Sequence, residues 1–325
     1  MASAFASVLV VDKPRGPTSH DVVARVRRLL RTRAVGHCGT LDPMATGVLV
    51  VAIENGTKLV PWLTADDKAY EATIQLGIET DSFDADGVET RRVAVSDALM
   101  KELDALAAGT SDAAAIPAVT AAIAIERARS SQMPPAISAI RIGGERAHAI
   151  ARRGETPELA EREVGVKRLE VIGGGISSGA DGPDGPFLRV IVDVTKGYFV
   201  RSLARDLAAS LGTVGHLSAL RRTRSGAFAI EDAVSLEADP AIVRAALLPI
   251  DRAAARALPV SVVTPEGVKA AGFGQRLMPD QLRDPHSVPS AWLDETGALI
   301  AIGQVDSDGG GRVLRGFPRP APPEV

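Results

Sequence analysis

An aspartate and a histidine lie five residues apart in a short stretch that is rich in glycine. The stretch reads GHCGTLDPMATGVL, and it contains His37 and Asp42. Glycine allows tight turns and a close approach of the backbone to a ligand, and Pro43 restricts the backbone at Asp42. The apolar run after it predicts a buried strand that anchors the stretch. A carboxylate held there can act as a nucleophile or as a base, although a lone Asp-Pro pair is also typical of an Asx turn or a helix start.

The composition excludes several classes of protein. A chain of 325 residues suits about two domains. The single cysteine excludes a disulfide framework and a thiolate metal cluster. No apolar run reaches membrane-spanning length, and the N-terminus lacks the pattern of a signal peptide. We therefore expect a cytoplasmic protein that does not enter a membrane.

The distribution of charge says more than the net charge of -3. Residues 1–62 carry eight Lys and Arg against four Asp and Glu, and residues 131–230 carry fourteen against ten, whereas the two remaining segments are net acidic. This asymmetry favours an anionic ligand on one face, although solvated helix faces produce the same pattern.

Two helices are predicted close to chemistry-bearing residues. The first begins at Thr18 or Ser19, and the face opposite its apolar side carries Arg25, Arg27, Arg28, Arg31 and Arg33. These arginines form either a solvated face or a phosphate contact. The second helix ends at Gly212 and has Arg201 in its first turn, where the helix dipole disfavours a cation. That unfavourable position indicates a carboxylate or phosphate partner for Arg201.

The stretch around Asp42 resembles the catalytic motif of the TruB family of tRNA pseudouridine synthases, whose pattern is close to GH-x-GTLDP-x-ATGVL. Further motifs of that family follow in the family's order between residues 8 and 230. They include a DKP-x-G loop with Lys13, a K-x-Y-x-A strand with Lys68 and Tyr70, a Q-x-PP segment from Gln132 that includes Arg141, a segment similar to G-T-Y-I-R with Phe199 and Arg201, and an L-x-R-T strand with Leu220 and Arg222.

The resemblance implies a role for each matched residue. Asp42 is the catalytic aspartate, Arg201 pairs with it, and Tyr70 stacks on the target base. The other matched residues are expected to bind substrate or RNA: His37, Lys13, Lys68, Phe199, Leu220, Arg141 and Arg222. By itself, Tyr70 is most simply a core ring, and a lone histidine is more often structural. Some positions depart from the family: Ile137, His148 and Phe199 stand where tyrosine is usual, and Arg141 stands where lysine is usual.

The implied fold is of the α+β class. It is a pseudouridine synthase fold with a central mixed, mainly antiparallel sheet flanked by helices, plus a small β-rich PUA-like domain. We expect the catalytic domain at residues 1–252, with a peripheral helical insertion at 91–130, then the PUA-like RNA-binding domain at 253–317 and a disordered tail at 318–325. Two loops are predicted as well: Asp81 to Gly87 as a turn rather than a metal site, and Gly173 to Pro186 as a flexible hairpin tip.

The implied reaction is isomerisation of uridine 55 in the TΨC loop of tRNA. It breaks the N1–C1′ bond and forms a C5–C1′ bond, so no cofactor or metal is required. A glycosidase normally uses two carboxylates, whereas an isomerase that recaptures its own base needs one carboxylate and a dry site. We expect a monomer that binds the T-arm of tRNA without an obligatory protein partner. A guide-dependent relative that modifies rRNA, and an RNA-binding module in which isomerisation is secondary, stay open as alternatives.

Overall fold

The computed structural model describes residues 6–107, 116–138, 140–147, 150, 153–178 and 184–317, without the side chains of Arg141, Arg146 and Ser178. His148 and the predicted tail at 318–325 lie outside these residues. The helices are α1 Ser19–Leu30, α2 Val60–Thr64, α3 Asp97–Ala107, α4 Pro117–Arg127, α5 Val200–Ser210, α6 Pro240–Ala245, α7 Ile250–Ala257 and α8 Pro265–Gly272.

The strands follow the chain in this order: β1 Ser7–Lys13, β2 Val35–His37, β3 Thr46–Ile53, β4 Lys68–Leu76, β5 Ile78–Thr80, β6 Glu89–Arg92, β7 Ser131–Gln132, β8 Arg141–Ile142, β9 Glu145–Arg146, β10 Arg162–Glu163, β11 Val166–Ser178, β12 Asp184–Val194, β13 Gly215–Ser225, β14 Phe228–Ala229, β15 Leu248–Pro249, β16 Val260–Val263, β17 Leu282–Arg283, β18 Ser290–Leu293, β19 Leu299–Val305 and β20 Gly311–Gly316. Short 3-10 helices cover Glu54–Leu59, Ile230–Asp232 and Pro279–Gln281.

A nine-stranded sheet forms the centre of the molecule. Its order is β11-β12-β4-β13-β3-β1-β15, with β14 paired to β13 and β2 paired to β3. Every pairing is antiparallel except that of β13 with β3, where Arg221 lies opposite Thr46. The predicted mixed, mainly antiparallel sheet flanked by helices is confirmed.

Strand β1 is apolar at successive positions because both of its faces are covered. Leu9 and Val11 belong to the main core, which also contains buried residues of α1 and α5. Val8 and Val10 belong to a second apolar cluster together with residues of α7, β18 and β19. A strand that is covered on both sides loses the alternation of polar and apolar residues that marks a half-buried strand.

The second sheet is the β-rich unit expected near the C-terminus. It has the order β17-β16-β18-β19-β20, and its only parallel pairing among the described residues joins β16 to β18. Ala291 and Ile302 carry its apolar side onto β1 and β3. The boundary predicted between residues 252 and 253 falls inside α7.

Helices α3 and α4 occupy the region that was expected to be a peripheral insertion. Their residues Leu99, Leu103, Val119 and Ile123 are buried in the main core, so both helices contribute to it. The segment from Gly173 to Pro186 lies in a hairpin, as predicted, but the paired strands extend further into it than a tip of that length allows.

Strand β11 continues through the glycine triplet to Ser178, and β12 begins at Asp184. A Cβ on Gly175 would lie 2.7 Å from the Cβ of Ala107, and one on Gly174 would lie 3.1 Å from Cδ2 of Leu106. These glycines therefore mark a close approach of α3 to the strand rather than a turn.

Gly47 is required by the contact between β3 and β13. Its φ is +98°, and an added Cβ would lie 2.2 Å from the carbonyl oxygen of Arg222. We expect Gly47→Ala to lower the free energy of unfolding by about 1–3 kcal/mol through the positive φ alone, and by more because the two strands must move apart. Urea unfolding measures this. Gly36→Ala is the matched control, since nothing lies within 4 Å of its added Cβ. Equal stabilities of the two variants would contradict this account.

Candidate active site

Asp42 lies in the loop between β2 and β3, and the start of α1 holds that loop. The Ser19 hydroxyl accepts a hydrogen bond from the Leu41 N–H at 2.9 Å and donates to the Leu41 carbonyl at 3.1 Å. The Gly16 N–H donates to the Pro43 carbonyl at 2.8 Å. The backbone on both sides of Asp42 is therefore fixed by a segment that lies more than twenty residues earlier in the chain.

Arg222 supports the same loop from inside the protein. Its side chain is buried, with the residue 1% exposed, and its guanidinium donates to the carbonyls of Val48 at 2.6 Å, Gly39 at 3.2 Å and Thr40 at 3.4 Å. This burial leaves Arg222 no surface for the RNA contact that the motif resemblance implied. Its role in the structure is to hold the motif loop, since its donors satisfy three backbone carbonyls.

Lys13 and Lys68 are also directed at backbone carbonyls. The Lys13 ammonium donates to Pro14 at 2.9 Å and to Pro43 at 3.2 Å, and it lies within the protein rather than on an RNA-facing surface. Burial lowers its pKa from 10.5 to about 8, while the carboxylate of Asp42 acts in the opposite direction. Burial likewise lowers the pKa of Lys68, which is half-buried, to about 8.

Arg201 lies in the first turn of α5 and points to Asp42. Its Nε is 3.0 Å from Oδ2 of Asp42, and its Nη1 is 3.4 Å from Oδ2 of Asp84. Nη1 also donates to the carbonyls of Ser82 at 3.0 Å and Ile137 at 2.9 Å. The Arg201 side chain is 8% exposed, whereas that of Asp42 is 35% exposed. The ion pair of Asp42 with Arg201 that the motifs implied is therefore present, and Asp42 is the member that solvent can reach.

Asp84 was missed as a site residue because its loop was interpreted only as a turn. The segment does form a turn. Within it, Oδ1 of Asp84 accepts hydrogen bonds from the Ser82 hydroxyl at 2.7 Å and the Asp86 N–H at 3.1 Å. The loop thus presents its other oxygen to Arg201. Sequence spacing contains no signal for this contact, because the two residues meet only through the packing of the turn on α5.

A cavity of about 150 Å³ opens beside the carboxylate of Asp42. Three of its walls are rings or aliphatic side chains that the motifs singled out: Tyr70 from β4, Phe199 before α5 and Leu220 from β13. Tyr70 and Leu220 are each 7% exposed, so their apolar surfaces exclude water from one side of the carboxylate. The remaining lining residues are Thr40, Leu41, Tyr198, Val200 and Arg201.

A wider cleft of about 760 Å³ meets this cavity at Asp42. His20 and His37 line it, and their rings pack edge to face with centroids 5.2 Å apart. Burial lowers the pKa of His37, and His20 and Arg222 lower it further. His37 is therefore neutral at pH 7, and its buried Nδ1 has no hydrogen-bond partner in the described structure. Ile137 also lines this cleft, where an apolar side chain replaces the tyrosine usual in the family.

The arginines of α1 divide into two groups. Arg25 forms an ion pair with Glu237, and Arg27 donates to the Val35 carbonyl at 2.8 Å, so both contact the protein itself. The others lie exposed at the end of the helix and beyond it: Arg28, Arg31 and Arg33. The side chain of Arg141, another residue expected to bind RNA, is outside the described part of the chain.

The described residues contain no group of three or more His, Cys, Asp or Glu side chains that could hold a metal ion. None of the helices in the described ranges is both long and apolar enough to cross a bilayer.

Comparison with known proteins agrees with the motifs. The model of the TruB family pseudouridylate synthase N-terminal domain matches residues 27–200, and the model of the tRNA pseudouridylate synthase B C-terminal domain matches residues 201–255. The chain belongs to the TruB family of pseudouridylate synthases. Asp42 lies within the first of these matched ranges, and Arg201 is the first residue of the second. The ion pair is therefore formed by one residue from each of the two matched domains.

Individual relatives cover nearly the whole chain. The tRNA pseudouridine synthase B of Thermobifida fusca is 42% identical over 299 residues, which is 91% of this chain and 94% of the relative. That of Corynebacterium aurimucosum is 42% identical over 309 residues, covering 90% and 94%. A chain in the crystal structure of a Cbf5–Nop10–Gar1 complex shares the fold, with a TM-score of 0.68 and 23% identity over 97% of this chain and 85% of that one. The TruB assignment therefore extends beyond the two family models.

Lys68 predicts a measurable dependence of stability on pH. Its pKa is about 8 in the folded chain and about 10.5 in the unfolded chain. Between these values the unfolded chain binds more protons, so the contribution of Lys68 to stability rises as the pH increases from 8 to 10.5. Below pH 8 the full cost of burying its ammonium opposes folding.

The measurement is the free energy of unfolding of the wild type minus that of Lys68→Met, below pH 8 and near pH 10.5. We expect this difference to move in favour of the wild type as the pH rises. The comparison cancels Cys38 and Tyr198, whose pKa values are raised by burial and whose contributions fall with pH. A difference independent of pH would contradict the lowered pKa of Lys68.

Proposed function

We propose that this protein converts uridine 55 in the TΨC loop of tRNA to pseudouridine, with Asp42 as the catalytic carboxylate. The observation that carries the proposal is the ion pair of Asp42 with Arg201 at the mouth of a cavity walled by Tyr70, Phe199 and Leu220. Membership of the TruB family, and relatives that are named tRNA pseudouridine synthase B, support tRNA as the substrate.

The reaction needs an ionised carboxylate, and the Arg201 guanidinium is the ion-pair partner of Asp42. An ionised carboxylate can attack C1′ as a nucleophile or remove the C2′ hydrogen as a base. In either case the N1–C1′ bond breaks, the uracil turns within the cavity and a C5–C1′ bond forms. The bond from Asp42 to C1′ is then displaced, or the hydrogen taken from C2′ is returned, and the product is completed when C5 loses its proton and N1 gains one. No group leaves the site, because the base that departs is the base that is recaptured.

The apolar walls suit an everted nucleotide. Taking a base out of the RNA stack costs a few kcal/mol, and stacking on an aromatic ring restores about 1–3 kcal/mol per base. Tyr70 would provide this stacking, and its position in the lining of the cavity beside Asp42 supports that role. Phe199 and Leu220 complete a surface that holds the free uracil and keeps water from C1′.

The alternative to isomerisation is hydrolysis of the N1–C1′ bond, which normally requires a pair of carboxylates. Asp84 is the other acid close to Arg201, but its Oδ1 accepts two hydrogen bonds and its Oδ2 faces the guanidinium. It lines the wider cleft and not the small cavity. Asp84 is therefore occupied, and it is not free to activate water. This arrangement favours the isomerase over a glycosidase.

The wider cleft would receive the T-arm on the open side of Asp42. His37 and the start of α1 line it and are placed to meet the RNA that flanks the target nucleotide. We also propose that the protein acts in the cytoplasm as a monomer without an obligatory protein partner. The C-terminal sheet, β16 to β20, would act as a PUA-like RNA-binding unit.

The decisive experiment is incubation of the purified chain with an unmodified tRNA transcript, followed by mapping of pseudouridine. We expect product at position 55, without added protein or guide RNA. A transcript with cytidine at that position should give none. Pseudouridine at another position, or a requirement for a guide RNA, would overturn the proposed substrate.

Asp42→Asn separates catalysis from binding. We expect the single-turnover rate to fall by about 10³-fold or more, because the amide cannot replace the carboxylate. The dissociation constant for tRNA should be retained. Asp239→Asn is the matched control, since Asp239 caps α6 away from both cavities and asparagine caps equally well. An Asp42→Asn variant that still isomerises uridine at the wild-type rate would contradict the role of Asp42, whereas unchanged biological activity of a variant that has lost isomerisation would favour an RNA-binding module over the enzyme.

A further inference from the structure

The segment 132–138 crosses the first turn of α5 and binds it at several points. The Met133 carbonyl accepts hydrogen bonds from the Ser202 hydroxyl at 2.9 Å and from Nη2 of Arg205 at 3.2 Å. Near its other end, the Ile137 carbonyl accepts from Arg201. We call residues 132–138 the crossing segment. It is in direct contact with the helix turn that carries the cation of the active site.

Gln132 begins the crossing segment and clamps the residue that precedes α5. Its Oε1 accepts a hydrogen bond from the Phe199 N–H at 2.9 Å, and its Nε2 donates to the Phe199 carbonyl at 3.2 Å. The side chain is buried, with the residue 1% exposed. The backbone of Gln132 is itself held by strand pairing with Arg162.

This clamp fixes the residue that precedes α5, at a helix start that has no side-chain cap. Phe199 occupies the N-cap position, where no side chain of the helix makes a capping hydrogen bond. Phenylalanine cannot cap, so the polar backbone groups at the helix start need partners from elsewhere. Gln132 provides both a donor and an acceptor from a position 67 residues earlier in the chain. The Phe199 carbonyl also accepts the helix hydrogen bond of the Leu203 N–H at 3.2 Å, and the Gln132 amide adds a second attachment that holds both the N–H and the carbonyl of Phe199.

Two active-site features follow directly from the orientation of the Phe199 backbone. Phe199 lines the cavity, and Arg201, two residues later, reaches Asp42. A turn of the backbone at Phe199 would displace both together. We propose that Gln132 is a positioning residue for the isomerisation, which sets the wall and the cation of the site through the backbone of Phe199. The inference rests on the function proposed above and adds a residue that does not itself line the cavity.

Gln132→Met tests the inference because methionine keeps the length of the side chain and loses both hydrogen bonds. Its matched control is Gln75→Met. Gln75 is also buried, and its amide donates to the carbonyls of Asp184 at 2.8 Å and Leu76 at 3.4 Å. Each variant loses an amide that binds backbone in the protein interior, so a general loss of stability affects both. Only Gln132 holds the start of α5.

We expect the single-turnover rate of Gln132→Met at saturating enzyme to fall by about 10- to 100-fold, the range for a reacting group misplaced by an ångström. The dissociation constant for tRNA should stay at the wild-type value, and Gln75→Met should keep the wild-type rate. Equal rates for Gln132→Met and the wild type would overturn the inference. An equal loss in both variants would also overturn it, since stability alone would then explain the effect.

The variant Gln132→Glu provides a second test of the inference. This test does not require that Gln132→Met folds. When protonated, the introduced carboxyl offers a donor and an acceptor as glutamine does. When ionised, it cannot donate and it repels the Phe199 carbonyl. We expect the ratio of its rate to the wild-type rate to fall as the pH rises through the pKa of that carboxyl. A ratio independent of pH would overturn the inference, whereas a wild type that forms no pseudouridine would overturn the proposed function instead.

Discussion

The ion pair between Arg201 and Asp42 is the interaction on which the rest of the structure depends. The guanidinium is almost fully buried in the first turn of a helix, where the dipole disfavours it. A second carboxylate, Asp84, and the carbonyls of Ser82 and Ile137 compensate for this position. A buried charge that loses a partner is strongly destabilising. The acidic turn, the crossing segment and the motif loop must therefore all converge on the helix start.

Two buried cations contact the backbone of the loop that carries Asp42. Lys13 and Arg222 donate to carbonyls of the loop that carries Asp42, so they act first as hydrogen-bond donors for an irregular backbone. Their positive charges also lie on the inner side of this loop. Strand β3, which follows this loop, and its neighbour β1 are covered on their second face by the C-terminal sheet. The loop is thus held by buried cations on its inner side and by strands that are covered on both faces.

Part of this site was predictable because its residues act within short segments. The Asp42 loop, the helix start at Thr18 and the alternation in β4 each depend on neighbours along the chain. The contact of Asp42 with Arg201 was implied by the motifs and by the unfavourable dipole position. Asp84 and Gln132 were not recognised as site residues, because their partners lie far away in the chain. The basic side chains Lys13 and Arg222 were expected at an RNA surface, since sequence does not distinguish a buried cation from an exposed one.

The sequence by itself determined the local chemistry: one carboxylate on a glycine-rich turn, an aromatic strand residue, an arginine in a helix first turn, and the α+β class of the fold. Only the tertiary structure decided which polar groups contact or position that carboxylate, and which faces of the sheet are covered. The glycines of β11 illustrate the difference, since their composition indicates a hairpin tip, whereas in the structure they are strand residues where the close approach of α3 leaves no room for a Cβ. The physical reason is that propensity and capping act between neighbours in the chain, whereas burial and long-range hydrogen bonds exist only after the segments have packed together.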